Sequence, residues 1–140
     1  MTRWAVADTG PLVALLDRRE RHHAWAVRQV KSLAPPLLVC EAVLVEASFL
    51  LARLPAAQDA LFGLIEKGAL RIAFHLEEHL AEIQALRKKY RDRPISLADA
   101  CIVRMAELFE DHLVLTLDAD FSVYRKHGRK SLGLVCPGGE

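Results

Sequence analysis

Short apolar runs alternate with longer segments of helical periodicity along the whole chain. Such runs, each followed by polar or turn-forming residues, predict buried strands. We predict strands at Trp4–Asp8, Leu37–Glu41, Ala69–Phe74, His112–Asp118 and Leu132–Cys136. Because helical segments separate these strands, the expected fold class is α/β, with a central parallel sheet covered by helices on both faces.

Between the strands, apolar residues recur at the spacing of one helical face. The predicted helices are Pro11–Asp17, Ala24–Leu33, Ala42–Leu54, Ala56–Lys67, Glu77–Tyr90, Ser96–Phe109 and Asp120–His127. Proline or glycine marks several of their ends, as expected for residues that stop a helix. The sequence contains no internal repeat, low-complexity tract or linker, so we expect a single domain over residues 1–140.

Composition is that of a chain with a well-filled core. The chain has 140 residues, of which 52% are hydrophobic, and a formal net charge of +1. Any nucleic-acid surface must therefore be a local patch. Cys40, Cys101 and Cys136 lack metal-ligand spacing, which favours small core residues in a reducing compartment. With no signal peptide or apolar span, we expect a cytoplasmic protein that does not enter a membrane.

Two acidic residues stand at the ends of predicted strands. Asp8 closes the run WAVA, and Asp118 closes the run LVLTL. In an open parallel sheet both would lie at the carboxyl edge, where ligands bind. Each could equally be the cap of the helix that follows, and either residue alone leaves the two interpretations open.

Two further acids lie among apolar helical neighbours. Glu46 is predicted to lie on the face that packs on the sheet, where an unpaired charge is unfavourable unless a partner such as Arg53 neutralises it. Asp99 has Ile102 and Val103 one turn away, although the spacing from Ser96 also fits a capping box.

The four acids can converge, because helices that leave a parallel sheet start at the edge where its strands end. Two carboxylates about 4 Å apart repel by about 4 kcal/mol at an effective dielectric constant near 20. Four together must take up protons or bind a cation, and ligands that are all oxygen favour Mg²⁺ or Mn²⁺. Such a site suits cleavage of a phosphodiester by an activated water.

An alternative interpretation of the first acid comes from the triplet Asp8-Thr9-Gly10, which also occurs at the active site of aspartic proteases. Those proteases are built almost wholly of β-structure and bring two such triplets together. This chain is predicted to be mostly helical, and it has one triplet. The protease interpretation is therefore disfavoured.

Four segments resemble the acidic blocks of PIN-domain ribonucleases, in the same order along the chain. They are ADTGPLVALLDRRERHHAWA, VLVEASFLL, SLADACIVRMAE and LTLDADFSVYR. The resemblance runs from about residue 4 to residue 125 and is closest to the VapC-type toxins of bacterial toxin–antitoxin pairs. It implies a PIN-like α/β/α sandwich and a Mg²⁺- or Mn²⁺-dependent endoribonuclease, a hydrolase.

The resemblance also assigns roles by position. Asp8, Glu46 and Asp99 match the three core acids, and Asp118 matches a more variable fourth, for which Asp120 is a nearby substitute. Thr9 matches a hydroxyl residue after the first acid, and Thr116 a polar residue beside the site. Toxins often carry an acid where this chain has Ser96, a change that preserves helix capping.

The implied partners are an RNA substrate, a cognate antitoxin and a second copy of the chain. The antitoxin would bury a helix in a groove, and Ala42–Leu54 with the helix after it could supply a homodimer surface. Two other functions remain open: a PIN nuclease of RNA processing that is not a toxin, and a catalytically silent PIN module used for binding.

Three clusters of basic residues could frame the acids and hold RNA. Two follow acidic blocks closely and are favoured: Arg18, Arg19 and Arg21, and then Arg125 and Lys126 with Arg129 and Lys130. The third, from Arg87 to Arg93, is also consistent with the solvated face of an amphipathic helix.

Overall fold

The chain folds around a five-stranded parallel sheet. The structure is a computed structural model and describes residues 2–138. Its strands are β1 (Trp4–Ala7), β2 (Leu37–Val39), β3 (Leu70–Ile72), β4 (His112–Leu115), β5 (Arg125–Lys126), β6 (Lys130–Ser131) and β7 (Leu134–Val135). The sheet order is β3-β2-β1-β4-β7, and β5 and β6 form a separate antiparallel hairpin. All five strands of the sheet were predicted from the sequence, in slightly longer form.

Pairs of α-helices separate each of the first three strands from the next one along the chain. They are α1 (Thr9–Leu16), α2 (His23–Ser32), α3 (Glu41–Leu50), α4 (Pro55–Glu66), α5 (Leu80–Lys89) and α6 (Leu97–Leu108), with short 3₁₀ helices at Leu76–His79 and Ala119–Ser122. Right-handed crossovers place α1 to α4 on one face of the sheet and α5 and α6 on the other. The predicted α/β/α sandwich is therefore the observed architecture.

The central strand β1 lies at the heart of the core. Ala5, Val6 and Ala7 are fully buried, because β1 has strands on both sides and helices on both faces. Val6 pairs with Leu38 of β2 and Val114 of β4 in parallel register. An unbroken apolar run is the sequence pattern expected for such a doubly covered strand.

Three predicted helices are wrong in their details. The helix predicted from Glu77 begins as the 3₁₀ helix Leu76–His79, and α5 starts only at Leu80. Residues 120–127 form no continuous helix: the 3₁₀ helix Ala119–Ser122 is followed by the β5–β6 hairpin. The hairpin turns at His127 and Gly128, which both have positive φ, so the chain reverses instead of continuing a helix. The helix predicted to end at Leu54 stops at Leu50.

No helix within residues 2–138 has the length and apolar character needed to cross a membrane.

Candidate active site

A cavity opens where the direction of the sheet order reverses. From β1 the chain crosses to β2 on one side, whereas β4 lies on the other side and pairs with β7. The carboxyl ends of strands at such a switch point form a crevice that commonly binds ligands. Here the cavity has a volume of about 620 Å³, and its lining includes five carboxylates: Asp8, Glu20, Glu46, Asp99 and Asp118.

Asp8 is the most buried of these acids, with 8% of its surface exposed. It is the N-cap of α1, and its Oδ1 accepts a hydrogen bond from the Thr9 backbone N–H at 2.8 Å. Its Oδ2 accepts from the Thr116 hydroxyl, also at 2.8 Å. Asp8 therefore caps the helix, and both carboxylate oxygens have a fixed orientation.

Thr116 joins two of the acids. Its fully buried hydroxyl donates to Asp8 and accepts from the Asp118 backbone N–H at 2.9 Å. Because β1 and β4 are paired, the Asp8 N–H also bonds the Leu115 carbonyl at 2.9 Å. The ends of the two strands are thus tied together through one threonine side chain.

Asp99 lies in the first turn of α6, whose N-cap is Ser96. The Ser96 hydroxyl oxygen accepts from the Asp99 backbone N–H at 3.0 Å, as the capping-box spacing predicted. Burial raises the pKa of Asp99 to about 6, with a further rise from the negative charge of Asp8. The Tyr124 hydroxyl donates to Asp99 Oδ2 at 3.5 Å, a long contact that no pattern in the sequence predicts.

Glu46 does not pack on the sheet, and the prediction that it would is wrong. It is exposed, because α3 turns Val43 and Ala47 inward and leaves the Glu46 side open to the cavity. Among residues 2–138 it has no cationic partner within ion-pair distance, so Arg53 does not neutralise it.

Asp118 combines both roles considered for it. It accepts from the Asp120 backbone N–H at 2.8 Å and so caps the 3₁₀ helix, while its side chain also lines the cavity.

Burial raises the pKa of Asp8, and the negative charges of Asp118 and Glu46 raise it further. The hydrogen bonds from Thr116 and Thr9 lower this pKa but do not cancel the rise. Asp120 is exposed and lies outside the cavity lining.

The chemistry of the lining fits a hard divalent cation. Every charged side chain in it is a carboxylate, and burial together with mutual repulsion raises the pKa of Asp8 and Asp99. A bound cation would offset this unfavourable negative charge. The Thr9 hydroxyl is buried beside Asp8 and makes no hydrogen bond within the described chain, which fits a site completed by a bound group. Within residues 2–138, no three His, Cys, Asp or Glu side chains already surround one point closely enough to hold an ion.

Glu20 is the acid that the sequence interpretation missed. It lies in the loop between α1 and α2, where its backbone N–H bonds the Asp17 carbonyl at 3.1 Å. The run from Arg18 to His23 looks like a polar surface loop, and nothing in its pattern shows that the Glu20 side chain lines the cavity. Its position depends on how α1 and α2 pack.

The predicted RNA-binding residues fall into two groups. Arg18, Arg19 and Arg21 are exposed on the loop that carries Glu20. Arg125 instead donates to the Ser122 and Tyr124 carbonyls.

Lys126 forms an ion pair with Glu110 at 3.2 Å. Glu110 lies beyond the C-terminal end of α6, the end opposite Asp99, so Lys126 is directed away from the acids.

Comparison with known proteins shows the family to which the chain belongs. The sequence pattern of the PIN domain matches residues 5–127, and the chain belongs to this family. The acid-lined cavity at the ends of β1 and β4 therefore lies in a PIN domain, the family that the order of the acidic blocks predicted.

Individual relatives are VapC proteins. Ribonuclease VapC26 of Mycobacterium tuberculosis is 30% identical over 126 residues, which cover 88% of this chain and 93% of the relative. The crystal structure of VapC20 of the same organism, described as a Sarcin-Ricin loop cleaving toxin, matches with a TM-score of 0.75 and 21% identity over 85% of this chain and 93% of that chain. VapBC2 from Rickettsia felis, solved with a DNA fragment from the promoter, matches with a TM-score of 0.64 and 14% identity over 94% and 97%.

Proposed function

We propose that this protein is the toxin of a VapC-type toxin–antitoxin pair, a metal-dependent endoribonuclease. One observation carries the proposal: in a chain with the PIN fold, Asp8, Glu46, Asp99 and Asp118 line a single cavity. The named relative that is a ribonuclease, VapC26, aligns over most of both chains, which supports the same chemistry here.

We assign Asp8, Asp99 and Asp118 as the ligands of Mg²⁺ or Mn²⁺, with Glu46 as a further ligand or as the group that orients the attacking water. A bound ion of this kind lowers the pKa of a coordinated water and stabilises charge on the phosphate. Thr116 and Ser96 act through the acids: the first holds the Asp8 carboxylate, and the second fixes the helix start that presents Asp99.

Protonation limits this site at low pH. A protonated carboxyl group is a poor metal ligand, and the pKa of Asp99 is raised to about 6. Asp8, whose pKa is also raised, and Asp99 must both lose their protons before they bind a cation. No histidine, serine or cysteine nucleophile is needed for cleavage by this route.

An apolar groove on α3 and α4 supports a protein partner. It has a volume of about 700 Å³, and Val45 and Phe49 in its lining are 71% and 77% exposed. An exposed apolar surface of this kind suits an amphipathic helix laid into a groove. We propose that the antitoxin places a helix in this groove. We also propose that the chain forms a homodimer, and light scattering of the purified chain would test that second proposal.

Induced expression followed by mapping of cleaved cellular RNAs tests the nuclease proposal. Wild type should produce discrete new RNA ends, and Asp8→Asn should produce none at the same protein level. Equal cleavage by both proteins would remove Asp8 from the mechanism.

A nuclease that is not a toxin, active in RNA processing, is the second candidate. A neighbouring small reading frame whose product neutralises the chain would favour the toxin, and its absence would favour RNA processing. A catalytically silent module is disfavoured, because it would have no use for four acids in one cavity.

A further inference from the structure

We propose that the segment from Arg87 to Arg93 binds RNA phosphates beside the one that is cleaved. This basic segment consists of the end of α5 and the start of the loop before α6, with the cations Arg87, Lys88, Lys89, Arg91 and Arg93. The RNA strand would then cross the acid cavity between the basic segment and the arginines of the α1–α2 loop. The inference rests on the proposed RNA-cleaving function and extends it to the path of the substrate.

The basic segment leads directly into the cavity wall. Ser96, three residues after Arg93, lines the acid cavity and caps the helix that carries Asp99. Three residues of extended chain span at most about 11 Å, so the Arg93 backbone lies within that distance of the cavity lining. Glu20, which lies between Arg19 and Arg21 in the sequence, also lines the cavity.

The charge of the basic segment is largely unneutralised. Its cations are exposed, and within residues 2–138 none of them has an acidic partner at ion-pair distance. Arg87 donates to the neutral Gln84 side chain, and Lys89 to the Gly128 carbonyl at 2.7 Å. Asp92 is the one acidic residue between Arg87 and Arg93.

Aromatic contacts hold the basic segment beside the site. The Tyr90 hydroxyl accepts from the Arg125 backbone N–H at 2.9 Å, and the Tyr90 ring meets the Tyr124 ring edge-on at 5.1 Å between centroids. Tyr124 in turn contacts Asp99. The start of the loop is therefore packed against a side chain that touches the acid cluster.

RNA is the partner that this arrangement of charge suits. A cavity of carboxylates repels a phosphate, so binding needs cations on either side of it to hold the neighbouring phosphates. Exposed cations around an acidic centre also steer a polyanion toward it. Lys126 of the other favoured cluster is less suited to this role, because it forms an ion pair with Glu110 beyond the far end of α6.

The test compares two matched pairs of charge removals in the inactive Asp8→Asn protein. One variant carries Arg91→Gln and Arg93→Gln in the basic segment. The control carries Lys31→Gln and Lys67→Gln, exposed residues near the start of the sheet strands and thus at the opposite edge from the acids. The probe is a fluorescent single-stranded RNA of about twenty nucleotides of mixed sequence, titrated at several salt concentrations.

We expect the Arg91→Gln/Arg93→Gln variant to bind several-fold more weakly. The slope of log affinity against log salt should also fall by about 1.4, since each lost phosphate contact to a single strand contributes about 0.7. The control should keep the original slope. Equal slopes in the two variants would overturn the inference. So would a failure of the Asp8→Asn protein to bind the RNA.

Failure of the proposed nuclease activity would be recognised separately. If Arg91→Gln/Arg93→Gln lowers the slope as expected but wild type never cleaves the RNA in Mn²⁺, the basic segment stands as an RNA-binding surface and the nuclease proposal falls. Thermal unfolding of each variant provides the check on folding, because exposed substitutions of this kind change stability by about 0.5 kcal/mol or less.

Discussion

At the scale of single residues, the site depends on hydroxyl groups that position its acidic residues. The Thr116 hydroxyl donates to the Asp8 carboxylate and fixes that side chain. The Ser96 hydroxyl accepts from the Asp99 backbone N–H and fixes the backbone there. The positions of Asp8 and Asp99 were predicted from strand ends and helix starts. The exposure of Glu46 was not, because its apolar neighbours Phe49 and Leu50 are themselves exposed and give a false impression of a buried face.

Removing the Thr116 hydroxyl should damage the site more than the fold. In Thr116→Val, Asp8 loses a hydrogen bond and the Asp118 N–H loses its acceptor, which should cost about 1–3 kcal/mol of unfolding free energy. Loss of such an orienting contact typically lowers metal affinity or activity by about 10- to 100-fold. Thr116→Ser keeps the hydroxyl and should retain most activity. Denaturant unfolding and RNA cleavage rates measure the two effects, and full activity in Thr116→Val would contradict the orienting role.

Neutralising Asp99 should stabilise the metal-free protein. Its pKa is raised from 3.8 to about 6, so at neutral pH folding keeps an ionised group in a place where ionisation is disfavoured. Asp99→Asn should add about 1 kcal/mol at pH 7, a value discounted because water reaches part of the group.

The sign of this effect determines its pH dependence. The folded protein holds the Asp99 proton more tightly than the unfolded chain, so the cost of ionisation is absent below about pH 4 and complete above about pH 6. The difference in stability between Asp99→Asn and wild type should therefore shrink as pH falls from 7 to 4. Melting temperatures in EDTA across this range measure it, and a difference that grows toward low pH would contradict the assignment.

At the scale of elements, the strands were easier to predict than the hairpin. Each sheet strand is an uninterrupted apolar run, which is what burial on both faces requires. The β5 and β6 strands have two residues each, too few to display an alternating pattern, and β5 packs on α6. Their conformation follows from the turn at His127 and Gly128 and from tertiary contacts, neither of which periodicity reports.

The exposed face of α3 gives a prediction about the antitoxin. Phe49 lines the apolar groove but not the acid cavity, so Phe49→Glu should weaken antitoxin binding without affecting cleavage. A buried anchor of this kind contributes about 2 kcal/mol, which corresponds to an affinity loss of roughly 30-fold. Leu80→Glu, on the exposed surface of α5, is the matched control and should bind normally. Calorimetric titration with the antitoxin decides, and equal affinities would place the partner elsewhere.

At the scale of the whole molecule, sheet topology brings the acids together. Asp8 and Asp118 follow neighbouring parallel strands, so their convergence was predictable from the rule that strand ends share one edge. The basic surface was less predictable. Whether residues 87–93 border the site depends on contacts such as Tyr90 with Tyr124, between elements far apart in sequence. Sequence spacing alone therefore favoured the cluster that includes Lys126, whose side chain forms an ion pair with Glu110 beyond the far end of α6.

Binding of Mn²⁺ should stabilise the wild-type fold. An ion that binds only the folded state adds about 2.7 kcal/mol at one hundred times its dissociation constant, which raises the melting temperature. Asp8→Asn should lose most of this increase. Asp59→Asn, an exposed acid on α4 outside the cavity, should keep it. Chelation with EDTA should return wild type to its metal-free melting temperature, and an unchanged value on adding or removing Mn²⁺ would speak against a cation site.

The central claim is that these carboxylates form one metal-dependent centre for RNA cleavage. Its most direct test is the rate at which purified protein cleaves a labelled RNA in Mn²⁺, measured for wild type, Asp8→Asn and the control Asp59→Asn. We predict cleavage by wild type and Asp59→Asn that EDTA abolishes, and a loss of at least about 100-fold in a folded Asp8→Asn protein. Cleavage at the wild-type rate by Asp8→Asn, or cleavage that persists in EDTA, would contradict the account.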